Sequence, residues 1–264
     1  MPTPLTESAV VSRLRAAGCV FAEDEARLIL STARTPDDAS AMVERRAAGL
    51  PLEHVLGWAE FCGLRISVDP GVFVPRRRTE FLVREAAVLV PPRPVVVDLC
   101  CGSGALGVAL VSLCRLQGDE FALHAADIEP AAVRCARRNT APFGGQMHEG
   151  DLFEPLPDAL RGRVDVLLAN VPYVPSGDLS TMPPEARDHE PRAALDGGAD
   201  GLDVMRRVTA EASRWLAPGG HLLFETSERQ IADAVPAVEH GGLAATVTAS
   251  EEFYATVVIG ANPV

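Results

Sequence analysis

The sequence predicts a doubly wound α/β sheet with a final antiparallel strand pair, preceded by a small helical unit and a short β-hairpin. Three observations carry that expectation. From Val95 onward, short β-branched runs alternate with helical segments; a glycine turn follows the first of these runs; and before about residue 55 apolar residues recur only at helical spacing. With 264 residues the chain can build a core that needs no disulfide staples.

The elements follow in order. "ESAVVSRLRAAG", "EDEARLILSTA" and "PDDASAMVERRAAG" read as helices, two of them closing at Gly18 and Gly49, so residues 1–55 form a helical domain, either a candidate for substrate recognition or a cap on the main domain. Residues 56–78 read as a hairpin linker, with Leu64, Ile66 and Val68 alternating before a turn expected at Asp69, Pro70 and Gly71. Thr79 is the expected N-cap of the helix "EFLVREAAVLV", which opens the main domain, 79–264. There "VVVDLC", "FALHAADI", "VDVLLANV" and "HLLFETSE" read as buried parallel strands, and "LAATVTAS" with "YATVVIGA" as the closing antiparallel pair. The uncharged run from Leu99 to Cys114 is interrupted by Gly102, Gly104 and Gly107 and falls short of the roughly 18 apolar residues of a membrane span. It is expected to be buried interior.

Composition bears on partners. The formal net charge of −12 opposes generic nucleic-acid binding, which requires a basic face to neutralise phosphates. A basic protein partner suits it better, with Arg76, Arg77 and Arg78 as a local exception, read either as a solvated loop or as a substrate contact. The six cysteines lack paired spacing, the first residues lack the pattern of an export signal, and a reduced, cytoplasmic protein is the expectation. The six histidines are scattered without ligand spacing, so no metal site is expected.

The motifs narrow the chemistry. "GSGALG", Gly102 to Gly107, formally matches the GxGxxG pattern of a strand–turn–helix nucleotide site, and Gly102, Ser103 and Gly104 place backbone N–H groups where a ligand can approach. The turn alone does not separate a nicotinamide enzyme from a methyltransferase. Asp98, one turn upstream, tips the balance: a carboxylate there repels a pyrophosphate but can orient the cationic amino-acid end of S-adenosylmethionine. Asp127, ending the next strand with Ile128 after it, is placed to accept hydrogen bonds from ribose hydroxyls. Asp151, Leu152 and Phe153 are expected to border an adenine, the carboxylate on its amino group and the apolar residues on its faces.

"EGDLFEP" is read as ending the third core strand, and "LLANVPYVP", Leu167 to Pro175, leaves the fourth, beside the glycine turn, where open α/β sheets bind ligands. Asn170 offers a side-chain carbonyl, Val171 a main-chain carbonyl, Pro172 stiffness and Tyr173 a flat face. Two acceptors and a flat surface suit a planar group bearing NH₂, such as an amide or an adenine amino group. Holding both hydrogens aligns a weakly nucleophilic nitrogen with a sulfonium methyl group, so positioning and hydrogen bonding carry the chemistry without a strong base.

Taken in order from about Leu56, "GVFVPRRRTEFLV", "VVDLCCGSGALGVAL", "AADIEPAAVRCARRN", "GDLF", "LLANVPYVP" and "EPRAALDGGADGLDVMRRV" resemble the HemK/PrmC-type protein-(glutamine) methyltransferases. The resemblance implies a class I S-adenosylmethionine-dependent methyltransferase domain with a seven-stranded sheet, and as usual partner a peptide-chain release factor, methylated on the glutamine of its Gly-Gly-Gln loop with S-adenosylhomocysteine as product. It implies cofactor contacts from Gly102, Gly104 and Asp127, and a substrate amide held by Asn170 and the Val171 carbonyl against Tyr173. Two departures stand out. The Asn-Pro-Pro-Tyr of the pattern reads Asn170-Val171-Pro172-Tyr173, and its Pro-Arg-Pro-acid-Thr-Glu reads Pro75-Arg76-Arg77-Arg78-Thr79-Glu80. A methylase of adenine amino groups in nucleic acid shares the Asn-Pro-Pro-Tyr type of exit, and a non-catalytic binder of a translation factor is a third possibility; the acidic charge opposes the former and the intact Asn170, Pro172 and Tyr173 the latter.

Overall fold

The computed structural model describes residues 6–115 and 121–264. The reading of the first residues as free of an export signal falls in part on residues 1–5, outside the described residues.

Helices α1 (Glu7–Ala16), α2 (Ala22–Thr32), α3 (Pro36–Ala47) and α4 (Leu52–Leu56) enclose a core of their own, built on Val10, Leu14, Ile29, Met42, Val43 and Val55. The Thr6 and Thr35 hydroxyls cap α1 and α3, and Gly18 and Gly49 adopt positive φ just past their ends, where a left-handed residue stops the helix. The fourth, five-residue helix was not expected; it is too short to show a period.

Strands β1 (Trp58–Phe61) and β2 (Leu64–Ser67) form the hairpin, but its turn is Cys62-Gly63, both at positive φ, rather than Asp69-Pro70-Gly71. The Leu64–Ile66–Val68 alternation marks the second strand, not the first, and the Asp69 turn only redirects the chain toward helix α5 (Glu80–Leu89). Thr79 stands at the head of α5 without capping it. Its backbone is already helical, and its hydroxyl donates instead to Glu225 Oε2 at 2.7 Å.

The main sheet has seven strands: β3 (Val95–Leu99), β4 (Ala122–Asp127), β5 (Gln146–Glu149), β6 (Val164–Ala169), β7 (Leu216–Thr226), β8 (Ala244–Ser250) and β9 (Ala255–Ala261). Their order is β5-β4-β3-β6-β7-β9-β8, parallel except for β9, which runs antiparallel to β7 and to β8. Helices α6 (Ala105–Arg115), α7 (Pro130–Thr140), α9 (Asp203–Trp215) and α10 (Ile231–His240) connect the strands, and short α8 (Pro184–His189) lies in the segment after β6. The sheet packs apolar residues on both faces, one cluster around Leu167, Trp215 and Phe224, the other around Leu82, Leu110 and Leu168. The order reverses beside β3, between β4 and β6, and ligands of such sheets bind at the carboxyl ends of the strands there.

Two ion pairs tie the segment after β6 to earlier parts of the chain. Arg46 of α3 bridges Glu25 and Glu185, each at 2.6 Å, and Arg76 reaches Glu190 at 2.6 Å. Among the described residues no disulfide forms, no group of three or more His, Cys, Asp or Glu is placed to hold a metal ion, and no helix is long and apolar enough to cross a membrane.

Candidate active site

The turn between β3 and α6 combines three kinds of close approach. Cys100, Gly102 and Gly104 all adopt positive φ, so the chain reverses sharply and α6 begins directly over the sheet. A Cβ on Gly104 would lie 3.2 Å from that of Ala136, and one on Gly107 would lie 2.8 Å from Leu123, so these two glycines serve helix packing. Gly102 alone of the three lines the adjoining cavity.

That cavity lies at the carboxyl ends of β3, β4 and β6. Gly102, Asp127, Ile128, Asp151, Leu152, Asn170 and Pro172 line it together, drawn from four separate stretches of sequence. The Asp127 carboxylate accepts from the N–H groups of Gly102 and Glu129, at 2.8 and 2.9 Å, which fixes it at the cavity wall while each oxygen keeps a further lone pair. Burial pushes its carboxyl above the usual range, against the lowering effect of those two bonds.

Other expected contacts lie elsewhere. Asp98 is fully buried beneath the turn, away from the cavity wall: Oδ2 accepts from Gly107 N–H at 2.9 Å, and Oδ1 has no partner. Burial, opposed by that one bond and reinforced by Asp127, pushes it up to about 7. Ser103 and Gly104 are likewise behind the wall, the Ser103 carbonyl accepting from Asn139 at 2.8 Å. Phe153 does not face the cavity. It stacks on Trp215 with ring centroids 5.4 Å apart, because the left-handed Leu152 before it turns the chain back into the core. Asp151 reaches the cavity, but its Oδ2 is held by Arg207 at 2.6 Å. Cys100 also lines it; burial and the neighbouring Asp127, Asp98 and Asp151 raise its thiol well above the ordinary value, so no thiolate nucleophile stands there.

The exit from β6 runs from this cavity to a second, wider and more open groove. Asn170 and Pro172 face the cavity, the Val171 side chain is buried in the core, and Tyr173 lines the groove with Thr226, Gln230 and Tyr254. The following loop holds this exit. Gly197 N–H donates to the Val174 carbonyl at 2.9 Å, and a Cβ on Gly197 or Gly201 would strike the carbonyl oxygens of Pro172 or Tyr173. Gln230 Nε2 donates to the Tyr173 carbonyl at 3.0 Å.

Several wall residues escaped the sequence reading: Phe73, Ala132, Pro191, Ala194, Val204 and Arg207. Apart from Arg207 they are small or apolar, and although they lie in or beside the stretches that carry the resemblance, none of them marks a site by residue type alone. Glu225 was legible in principle, being an acid at the carboxyl end of an otherwise apolar strand on the side where ligands bind.

These residues fit S-adenosylmethionine. Carboxylates at Asp127 and Asp151 suit a ribose and an adenine amino group, and Ile128, Leu152 and Ala132 present apolar surface. The unpartnered Asp98 oxygen beneath the turn belongs to a carboxyl that a cation bound above it would help to ionise, whereas a pyrophosphate would meet the acids of the wall and only Arg207, already paired with Asp151.

Comparisons with known proteins agree. A family model for a methyltransferase domain matches residues 93–262. A release factor glutamine methyltransferase of Mycolicibacterium smegmatis is 38% identical over 235 residues, covering 87% of this chain and 81% of that protein. The chain belongs to this methyltransferase family. A relative of the same name from Geobacter sulfurreducens is 42% identical over 186 residues; the match covers 70% of this methyltransferase and 63% of that protein, so the matched stretch spans less than two thirds of its length. A third, 39% identical over 206 residues and covering 74% of this chain and 67% of its own, is a 4-amino-L-phenylalanine/4-methylamino-L-phenylalanine methyltransferase of Streptomyces pristinaespiralis. A methyltransferase crystal structure from Pyrococcus furiosus superposes with a TM-score of 0.56 at 14% identity, covering 86% of this chain and all of that one, which shows the shared fold.

Proposed function

We propose that this methyltransferase transfers a methyl group from S-adenosylmethionine to the side-chain amide nitrogen of a protein glutamine, in a peptide-chain release factor. One observation carries the reading: the four-residue exit from β6 joins the cavity that fits the cofactor to an open groove, so Asn170 and Tyr173 flank the passage between them.

S-adenosylmethionine supplies a methyl group on a positively charged sulfur. The chain's own residues then have to present a nitrogen whose lone pair is delocalised into a carbonyl. The Asn170 side-chain oxygen and the Val171 main-chain oxygen accept its two N–H bonds, and the shift of charge onto those hydrogens as the N–C bond forms strengthens both. Pro172 restrains the relative orientation of the two acceptors, and Tyr173 covers the amide plane. The bond from the methyl group to sulfur would break as the N–C bond forms, leaving S-adenosylhomocysteine, and one N–H proton passes to solvent through the open groove beside Tyr173, so the product is a neutral secondary amide. Gly102, Asp127, Ile128, Asp151 and Leu152 act on the cofactor side from the cavity wall, and Asp98, Ser103 and Gly104 act from behind it by shaping the turn; Phe153, packed on Trp215, takes no part. Residues 1–55, joined through the 56–78 linker to the 79–264 catalytic domain, are the part suited to recognising the protein substrate.

A small aromatic amine as acceptor is the second reading, favoured by the Streptomyces pristinaespiralis relative at comparable identity. The open groove beside Tyr173 favours a macromolecular acceptor, and the net charge of −12 favours a protein over a nucleic acid. Mass spectrometry of release factor incubated with enzyme and S-adenosylmethionine tests the choice, with the glutamine changed to alanine as control and 4-amino-L-phenylalanine alongside. One added methyl on the glutamine supports the proposal; methylation of the amine alone overturns it. In Asn170→Ala, turnover should fall by about a hundredfold or more while cofactor affinity stays within a few-fold, because the lost acceptor acts mainly on the transition state.

A further inference from the structure

Arg78 stands where the resembled pattern has an acid, and the structure gives it a definite task. Its Nε donates to Glu225 Oε1 at 2.8 Å, and its Nη2 donates to the hydroxyl oxygen of Tyr173. The same hydroxyl donates onward to Glu225 Oε1 at 2.8 Å, while Thr79 fills Oε2 at 2.7 Å. The Tyr173 hydroxyl is thus held twice, once as donor and once as acceptor, by residues from two different elements. Glu225 itself is 3% exposed, and an acid in place of Arg78 would neither neutralise it nor donate to the phenol.

We propose that Arg78 is a positioning residue that fixes the ring of Tyr173 over the acceptor group and thereby sets the efficiency of transfer. This rests on the reading of Tyr173 as the surface that covers the substrate amide. The backbone of Tyr173 is anchored independently, by Gln230 at its carbonyl and by the Gly197 and Gly201 contacts around it. Loss of Arg78 therefore frees the ring and not the strand exit. A ring held at its tip by one bond instead of two swings about Cβ, and misplacement on the scale of 1 Å in an oriented site lowers rates by about tenfold to a hundredfold. Lysine at 78 would keep the charge beside Glu225 but lacks the planar fork that reaches carboxylate and phenol together.

The test compares Arg78→Ala, Arg78→Lys, Tyr173→Phe and the Arg78→Ala/Tyr173→Phe double variant. Steady-state methylation of release factor, calorimetry with S-adenosylmethionine and NMR of ring-¹³C-labelled tyrosine are measured for each. The chain has two tyrosines, so Tyr173→Phe assigns both signals. Arg78→Ala should lose at least about tenfold in kcat/KM with cofactor affinity changed less than about twofold, and should shift the Tyr173 signal while leaving Tyr254 in place. The double variant should be no worse than the worse single one, and Arg78→Lys should recover only part of the loss. Wild-type turnover in Arg78→Ala, additive losses in the double variant, or an equal loss of cofactor binding would overturn the proposal. If the wild-type enzyme leaves glutamine unmodified, the substrate reading falls by itself; an unmoved Tyr173 signal in Arg78→Ala then overturns the positioning role, and a moved one upholds the hold on the ring.

Discussion

Asp98 and Glu225 are both buried carboxylates at the carboxyl edge of the same sheet, and their surroundings are opposite. Asp98 has one N–H donor on one oxygen and none on the other, with no cation beside it. Glu225 receives Arg78, Tyr173 and Thr79. A buried charge is tolerable when donors and a counter-charge replace water, and otherwise the group takes up a proton. The difference separates two tasks along one edge. Glu225 anchors Arg78, Thr79 and Tyr173 beside the open groove, whereas Asp98 is left incomplete beneath the glycine turn at the enclosed cavity.

Removing the anchor gives the largest expected effect. Glu225→Ala removes the acceptor of Thr79 and the Tyr173 hydroxyl, while Arg78, about half exposed, regains water; losing hydrogen bonds to a charged acceptor costs about 1.5–3 kcal/mol. Urea unfolding should report that loss at pH 7. A change under about 1 kcal/mol would place Glu225 with ordinary surface ion pairs and dissolve the contrast with Asp98.

Asp98 sharpens the comparison through pH. Its carboxyl is raised from the ordinary aspartate value to about 7, so between roughly pH 4 and pH 7 the folded protein holds a proton that the unfolded chain has released. The stability it provides is therefore present at low pH and is lost as pH rises through that window. Asp98→Asn keeps a neutral side chain throughout, and its stability should fall less than that of the wild type between pH 5 and pH 8, measured by urea unfolding. Parallel curves for the two proteins would mean that Asp98 is already ionised in the folded state and has a partner.

The same contrast marks what was legible in the sequence. Alternation of β-branched runs with helices announced the sheet, because buried parallel strands and their connecting helices impose different periods on the chain. Asp127 and Asn170 could be placed at the cavity from the sequence because one ends a strand on the ligand side and the other directly follows one, and Tyr173 because it belongs to the same exit. Phe153 was misplaced because a single left-handed residue, Leu152, reverses the direction of the next side chain, and no spacing announces that. The hairpin turn was misplaced because Asp-Pro-Gly is the stronger turn signal in isolation, while strand pairing selected Cys62-Gly63. Arg78 was open between a solvated loop and a contact, since its partners, Tyr173 and Glu225, lie about a hundred or more residues away in sequence and meet it only through the sheet.

The smallest effect comes from the far edge of the sheet, where the sequence showed only scattered histidines. His124 of β4 and His148 of β5 stack with centroids 5.3 Å apart, and their ring nitrogens approach to 3.0 Å, so one shared hydrogen bond requires at least one neutral ring. Burial lowers both from the ordinary histidine value, with His148 adding to the lowering at His124. Here the unfolded chain binds the extra protons, so stability is full above about pH 6.5 and is lost as pH falls below it, opposite in sign to Asp98. His148→Gln should reduce that acid-side loss by about 1 kcal/mol or less, since His54 and His221 are lowered by burial as well and continue to titrate. Measured between pH 5 and pH 7, the wild type should show these opposing slopes partly cancelling, and the double variant Asp98→Asn/His148→Gln should be flatter than Asp98→Asn alone. Strict additivity is the expected result, because the two groups lie on different strands with no bond between them; a coupling above about 0.5 kcal/mol would show that the histidine edge and the glycine turn respond to protons as one unit.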